Sequence, residues 1–300
     1  MSRQRTAEDG HRRAGGDEAR RRVLAGAPVT ERRVVLAGVS TAVLEGGDGP
    51  PVVLLHGQGG WSGMWLPVMS DLMTTHRVIA ADLPGLGASE LPGGPPDAAR
   101  VLAWLGALVE DACPAPPVLV GASLGGSIAA RFAIAQPDRV ARLVLVDAGS
   151  LGRFRPAPGV LFALARFLAR PSERTQQGFL RQVAVDPGRV KAMMGERWEA
   201  SQAYNLDRAR TPSVRAANRR MLRELGTKVI APEELARIAV PTMLIWGRHD
   251  RVMRLGIAEA ASARYGWPLQ VIEDAGHFVV EQPEAFRRAL RAAMGTPAGR

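Results

Sequence analysis

One cysteine, two lysines, two tyrosines and five histidines are all that 300 residues hold of these types. The single thiol, Cys113 beside Pro114, excludes an intrachain disulfide framework and any cysteine-built metal cage. The histidines are scattered, with no pair at i, i+4 on one helix, so no metal site is expected. No apolar run reaches the roughly 20 residues that a membrane-spanning helix needs. The longest candidate, Val118–Ala135, is broken by Arg131 and three glycines, so no integral membrane segment is expected.

Lysine scarcity makes the net charge of +10 almost wholly guanidinium. Its distribution argues against a nucleic-acid surface. Residues 1–33 hold nine Arg against five acids, and residues 150–235 hold sixteen Lys/Arg against eight. The remainder is nearly neutral, which reads as a basic tail plus a solvated helical face. Arg12-Arg13 and Arg20-Arg21-Arg22 ahead of Val23–Val29 loosely mimic a twin-arginine export signal. The apolar stretch is short and stops at Thr30-Glu31-Arg32, so the expectation is a disordered tail over residues 1–28 and a cytoplasmic protein.

Beyond the tail, Val29–Leu36 and Val39–Glu45 read as an antiparallel strand pair. Val52-Val53-Leu54-Leu55 is continuous and apolar, as in a strand buried on both faces. Strand and helix then alternate: strand 77–81, helix 97–112, strand 117–121, helix 124–135, strand 142–146. About eighty residues of purely helical pattern follow, with helices expected over 160–169, 173–185, 189–203 and 214–225. The alternation resumes with strand 242–246, helix 255–265, strand 269–273 and helix 283–294. This pattern predicts an α/β fold, a mostly parallel central sheet with helices on both faces and an all-helical insertion. Residues 29–149 and 236–300 would form the core, and 150–235 a lid over the strands' C-terminal ends.

Gly121-Ala122-Ser123-Leu124-Gly125 carries the chemistry. It fits G-x-S-x-G between an apolar strand and a helix, the setting of a nucleophile elbow. A strained turn there lifts the Ser123 hydroxyl above the sheet, and the next helix aims its positive end at the site. A serine hydroxyl needs a base, and Asp274-Ala275-Gly276-His277-Phe278 places His277 after the last strand, at the same sheet edge. The acid that orients it is Asp250, in Trp246-Gly247-Arg248-His249-Asp250; Asp147, ending the preceding strand, competes for that role. Two amides must stabilise an oxyanion: Leu124, after the nucleophile, and Gln58, in His56-Gly57-Gln58-Gly59-Gly60-Trp61. His56 is read as a brace for that loop.

These residues resemble the α/β-hydrolase superfamily over 29–294, together with the stretch Asp82-Leu83-Pro84-Gly85-Leu86-Gly87-Ala88-Ser89. The resemblance implies a Ser-His-Asp hydrolase with a helical lid and no cofactor, with Asp82 and Ser89 as structural loop residues. Haloalkane dehalogenases and epoxide hydrolases carry an aspartate where this chain has Ser123, which sets both apart. The lid holds Phe154, Phe162, Phe167, Phe179, Met193 and Trp198, and Trp61, Trp65 and Phe278 are expected to line the same apolar pocket. The activity expected is cleavage of a carboxylic ester, or related acyl bond, of a small, largely apolar molecule. Carbon–carbon hydrolysis of a diketone-like acid is the alternative, followed by a hydrolase-shaped binding protein or a cofactor-free peroxidase.

Overall fold

Val53 and Leu55 pack into one hydrophobic layer and Val52 and Leu54 into another, so this strand is buried on both faces, as its unbroken apolar run predicts. The computed structural model describes residues 15–295. A helix over 15–24, α1, leads into the antiparallel pair β1 (Thr30–Leu36) and β2 (Val39–Gly46). Then come β3 (Pro51–Leu55), a 3₁₀ turn (Ser62–Trp65), α2 (Leu66–Leu72), β4 (Arg77–Ala81) and α3 (Ala98–Ala112). The central unit is β5 (Val118–Ala122), α4 (Leu124–Ala135) and β6 (Arg142–Val146).

Between β6 and the next strand the chain is helical throughout: α5 (Pro158–Ala169), α6 (Glu173–Val183), α7 (Pro187–Met194), α8 (Arg197–Arg210), α9 (Pro212–Met221), a π-helical turn (Leu222–Gly226) and α10 (Pro232–Leu235). The single helix expected over 189–203 is two, because Gly195 adopts a φ of 54° and caps α7. The sheet resumes with β7 (Thr242–Gly247), α11 (Leu255–Tyr265), β8 (Leu269–Ile272) and α12 (Pro283–Met294).

The eight described strands form one sheet, ordered β1-β2-β4-β3-β5-β6-β7-β8. From β4 to β8 every pairing is parallel. Helices α3, α4 and α11 cover one face, through residues such as Trp104, Phe132 and Ala258. The other face is covered by α2, α12 and α1, through Met69, Phe286 and Val23.

That last contact corrects the expectation for the tail. Residues 1–14 lie outside the described residues, but 15–24 are an amphipathic helix with Ala19 and Val23 buried. Arg20, between them, is buried as well. Its Nη1 donates to Asp82 Oδ2 at 2.9 Å and to Tyr204 Oη at 3.1 Å, while Nε donates to Glu31 Oε1 at 2.8 Å. Its guanidinium also sits 4.5 Å from the centre of the Trp61 ring. A segment that looks too polar to order itself is therefore ordered by one buried charge network.

Candidate active site

All the singled-out polar residues sit just beyond the C-terminal ends of parallel strands, where such sheets bind ligands. Ser123 follows β5 and adopts φ 51°, ψ −111°, a backbone region that costs a residue with a side chain of order 1–3 kcal/mol. The strain is held by neighbours. Ser123 N–H donates to Val146 O at 2.9 Å, and Ser123 O accepts from Gly149 N–H at 2.9 Å. At Gly125 a Cβ would stand 2.3 Å from Leu55 O, so only glycine lets α4 approach β3 this closely.

His277, Asp250 and Ser123 are brought together. His277 Nε2 is 3.0 Å from Ser123 Oγ, and His277 Nδ1 is 2.7 Å from Asp250 Oδ2. The Asp250 carboxyl already accepts two backbone N–H bonds, and as acceptor toward Nδ1 it suits the tautomer with the proton on Nδ1 and the Nε2 lone pair facing the serine hydroxyl. Asp250 is fixed in turn, since Oδ1 accepts from Val252 N–H at 2.7 Å and Met253 N–H at 2.9 Å.

Asp147 is the neighbour of this relay, not a link in it. Its Oδ1 accepts from Gly247 N–H at 2.9 Å, and it has no hydrogen bond to His277. Burial, then the charge of Asp250, raises its carboxyl well above the ordinary range and favours the protonated form. Oδ2, buried and without a donor of its own, then becomes a donor toward Asp250. Among the described residues, only Asp147, Asp250 and His277 bring potential metal-ligand atoms within 4.8 Å of one another. Both imidazole nitrogens are already engaged, which suits a proton relay better than a ligand set.

The loop after β3 is a tight turn whose closing bond is donated by Gly60, not Gln58, to Gly57 O at 3.2 Å. Gly57 adjoins the nucleophile, where a Cβ would stand 3.2 Å from Ser123 Cβ, and Leu124 opens α4, where the first N–H groups have no intrahelical acceptor. His56 braces the turn as expected. Its Nδ1 donates to Gly57 O at 2.8 Å and its Nε2 accepts from Leu83 N–H at 2.9 Å. Burial lowers its pKa, consistent with this neutral tautomer. Asp82 pins the far end of the loop by accepting from Ser62 N–H at 2.6 Å. Burial alone would raise Asp82, but the Arg20 guanidinium, with the N–H groups of Ala88 and Ser62, outweighs it and holds the carboxyl below its usual range.

The pocket residues fare differently. Trp61 and Trp65, expected to line the pocket, are 4% and 1% exposed. Trp65 stacks on Phe286 and Trp61 packs edge-on against Tyr204, so both serve the core beneath α1, α8 and α12. Phe278 is half-buried and joins Trp198 and Ala184 of the helical insertion.

The sequence also hid how the insertion is fastened. Glu281, fully buried, accepts from Val185 N–H at 3.0 Å, Asp186 N–H at 3.0 Å and Gly276 N–H at 2.7 Å. It ties the α6–α7 link to the loop that carries His277. Asn218 Oδ1 accepts from Gly59 N–H at 3.0 Å, which ties α9 to the other loop. The only hint was an acid in the otherwise apolar Val279-Val280-Glu281. Glu281→Gln turns one acceptor into a donor facing amides. We expect it to destabilise the protein by about 1–3 kcal/mol and to lower kcat more than it raises KM, as read by thermal melts and steady-state kinetics.

Comparison with known proteins agrees with the fold. The profile of the alpha/beta hydrolase family matches residues 52–289. The chain is 32% identical to 2-hydroxy-6-oxo-2,4-heptadienoate hydrolase of Pseudomonas putida, over 86% of this chain and 94% of that protein. It is 28% identical to pimeloyl-[acyl-carrier protein] methyl ester esterase of Aeromonas hydrophila, over 86% of this chain and all of that one. A carboxylesterase from Bacillus subtilis shares the fold, with a TM-score of 0.78 at 22% identity, over 95% of this chain and 98% of that one. Among the described residues no helix is long and apolar enough to cross a membrane. The chain belongs to the alpha/beta hydrolase family.

Proposed function

We propose that this hydrolase cleaves a carboxylic ester, or a closely related acyl bond, of a small and largely apolar molecule by way of an acyl-enzyme. One observation carries the reading: the unbroken path from Asp250 through His277 to Ser123, which suits the tautomer that accepts a proton from serine. In this mechanism His277 Nε2 takes the Ser123 proton as Oγ attacks the acyl carbon. The negative charge that develops on the acyl oxygen meets the Gln58 and Leu124 amides and the positive end of α4. Asp250 stabilises the imidazolium without taking its proton. His277 then protonates the departing alcohol, and a water activated by the same imidazole releases the acid. The helical insertion acts as a lid, and the apolar cluster around Phe278 and Trp198 favours an apolar substrate.

The test is covalent labelling by a fluorophosphonate, which reacts with an activated serine. Wild type should label rapidly, and folded Ser123→Ala should not label at all. Labelling that survives in Ser123→Ala would place the nucleophile elsewhere.

Carbon–carbon hydrolysis is the second reading, favoured by the 32% identity to a dienoate hydrolase. Four of the insertion's arginines are already committed, which leaves fewer to receive a substrate carboxylate. Arg189, Arg210 and Arg215 donate to backbone carbonyls of Asp274, Pro171 and Leu168, and Arg208 pairs with Asp207. Assaying p-nitrophenyl esters beside a 2-hydroxy-6-oxo-dienoate separates the two by the larger kcat/KM.

A further inference from the structure

Helix α5 is apolar in sequence, Pro-Gly-Val-Leu-Phe-Ala-Leu-Ala-Arg-Phe-Leu-Ala, yet only Val160 of its twelve residues is buried. Phe167 stacks on Phe179 of α6 and holds the helix in place. The opposite face goes uncovered: Leu161, Phe162 and Leu168 are 48%, 65% and 41% exposed. Their spacing at i, i+1 and i+7, with Ala165 and Ala169 between and beyond, makes one continuous strip along the helix. A strip of that kind on a water-facing helix calls for something to cover it.

The charges around it say what that is. Residues 150–185 contain six arginines, Arg153, Arg155, Arg166, Arg170, Arg174 and Arg181, and a single acid, Glu173. All six are exposed, and none forms an ion pair or a side-chain hydrogen bond among the described residues. Arg166 instead lies 5.6 Å over the Phe162 ring. A second copy of this chain would bring the same positive border against itself, which is repulsive. A negatively charged surface with an apolar layer beneath answers both features, since guanidinium groups meet its headgroups while Phe and Leu enter below them.

We propose that the outer face of α5 is a docking surface for an anionic lipid interface. The inference does not depend on the catalytic roles assigned above, but it bears on them through position. Ala157, which leads into α5, donates to Arg251 O at 2.8 Å, one residue from Asp250. Val183, at the end of the neighbouring α6, accepts from Phe278 N–H at 3.3 Å, one residue from His277. Docking therefore sets the loops of the candidate site beside the lipid surface.

The test is co-sedimentation of the full chain with vesicles, at low and high salt. One set is phosphatidylcholine and the other equal parts phosphatidylcholine and phosphatidylglycerol. Wild type should sediment with the anionic vesicles only, and less so as salt rises. Leu161→Ser/Phe162→Ser should lower partitioning by at least ~10-fold, and Arg166→Glu/Arg170→Glu should abolish the preference for phosphatidylglycerol. Both pairs are exposed, so their melting temperatures should match wild type. The arginines of residues 1–14 are present in every variant, so undiminished binding of Leu161→Ser/Phe162→Ser would show that they, and not α5, hold the vesicle and would overturn the proposal. Absence of wild-type binding would overturn it too. So would a wild-type dimer that Leu161→Ser/Phe162→Ser converts to monomer, since the strip would then belong to a second copy.

Discussion

Asp250→Asn is expected to lower turnover by about 10⁴-fold, the scale seen when a triad acid is neutralised, whereas Asp147→Asn should leave it within several-fold of wild type. The two acids lie at the ends of adjacent strands, and their surroundings assign them different tasks. Asp250 faces His277 Nδ1 at 2.7 Å, and an asparagine there would turn the imidazole to the tautomer that cannot accept from Ser123. Asp147 faces Gly247 N–H and Asp250, and asparagine satisfies both, with Oδ1 accepting and Nδ2 donating. The pair also separates by pH. Because the folded protein holds Asp147 well above its ordinary value, by burial first and Asp250 second, its burial costs nothing below the unfolded carboxyl's pKa. As pH rises past that point and through the raised folded value, stability is lost. Asparagine does not titrate, so the melting temperature of Asp147→Asn should gain on wild type as pH increases. Melts at pH 5 and pH 8, with turnover at each, check both halves. A larger loss from Asp147→Asn than from Asp250→Asn, at equal stability, would reverse the assignment.

Arg20→Met should destabilise the protein by roughly 3–5 kcal/mol, the usual cost of leaving one charge of a buried pair without its partner. Burial pulls against the Arg20 charge, but Asp82, Tyr204 and Glu31 outweigh it and raise its pKa, so the guanidinium is firmly held. Its loss strands a buried Asp82 carboxylate. For a chain of this size the melting temperature should fall by roughly 5–10 °C. Turnover should fall as well, because Asp82 is also the acceptor for Ser62 N–H and so anchors the Gln58 turn. Deleting residues 1–28 removes the same guanidinium and should behave alike, although the composition of this segment suggests that it is dispensable. A deletion that melts like wild type would show that another cation takes its place.

Where the sequence was legible, one residue's neighbours in the chain were also its neighbours in the fold. The elbow is an example, since strand, turn and helix around Ser123 are contiguous, and the apolar runs of β3, β5, β6 and β7 announce strands buried on both faces. Asp250 and His277 were within reach for a related reason, because each follows its strand directly. Arg20 was not, because its partners Asp82 and Tyr204 are 62 and 184 residues away and nothing local distinguishes it from Arg21 and Arg22. Ala19 and Val23, four apart, were the sign of a helix that the arginines obscured. Trp61 and Trp65 misled for the opposite reason: proximity in sequence to the Gln58 turn says nothing of which way a large ring points. Glu281 could be placed only once the α6–α7 link was seen above it.

The attachment through Glu281 has a further consequence. On the insertion's side the bonds come from main-chain amides of Val185 and Asp186, which every residue but proline possesses. The core therefore recognises the course of the insertion's backbone rather than its side chains at this point. An insertion from another protein could be grafted between β6 and β7 with little regard for its sequence here, provided two successive amides arrive over the same carboxylate. Proline at 185 or 186 would be barred, while the specificity of the enzyme could be rewritten around a fixed point of attachment.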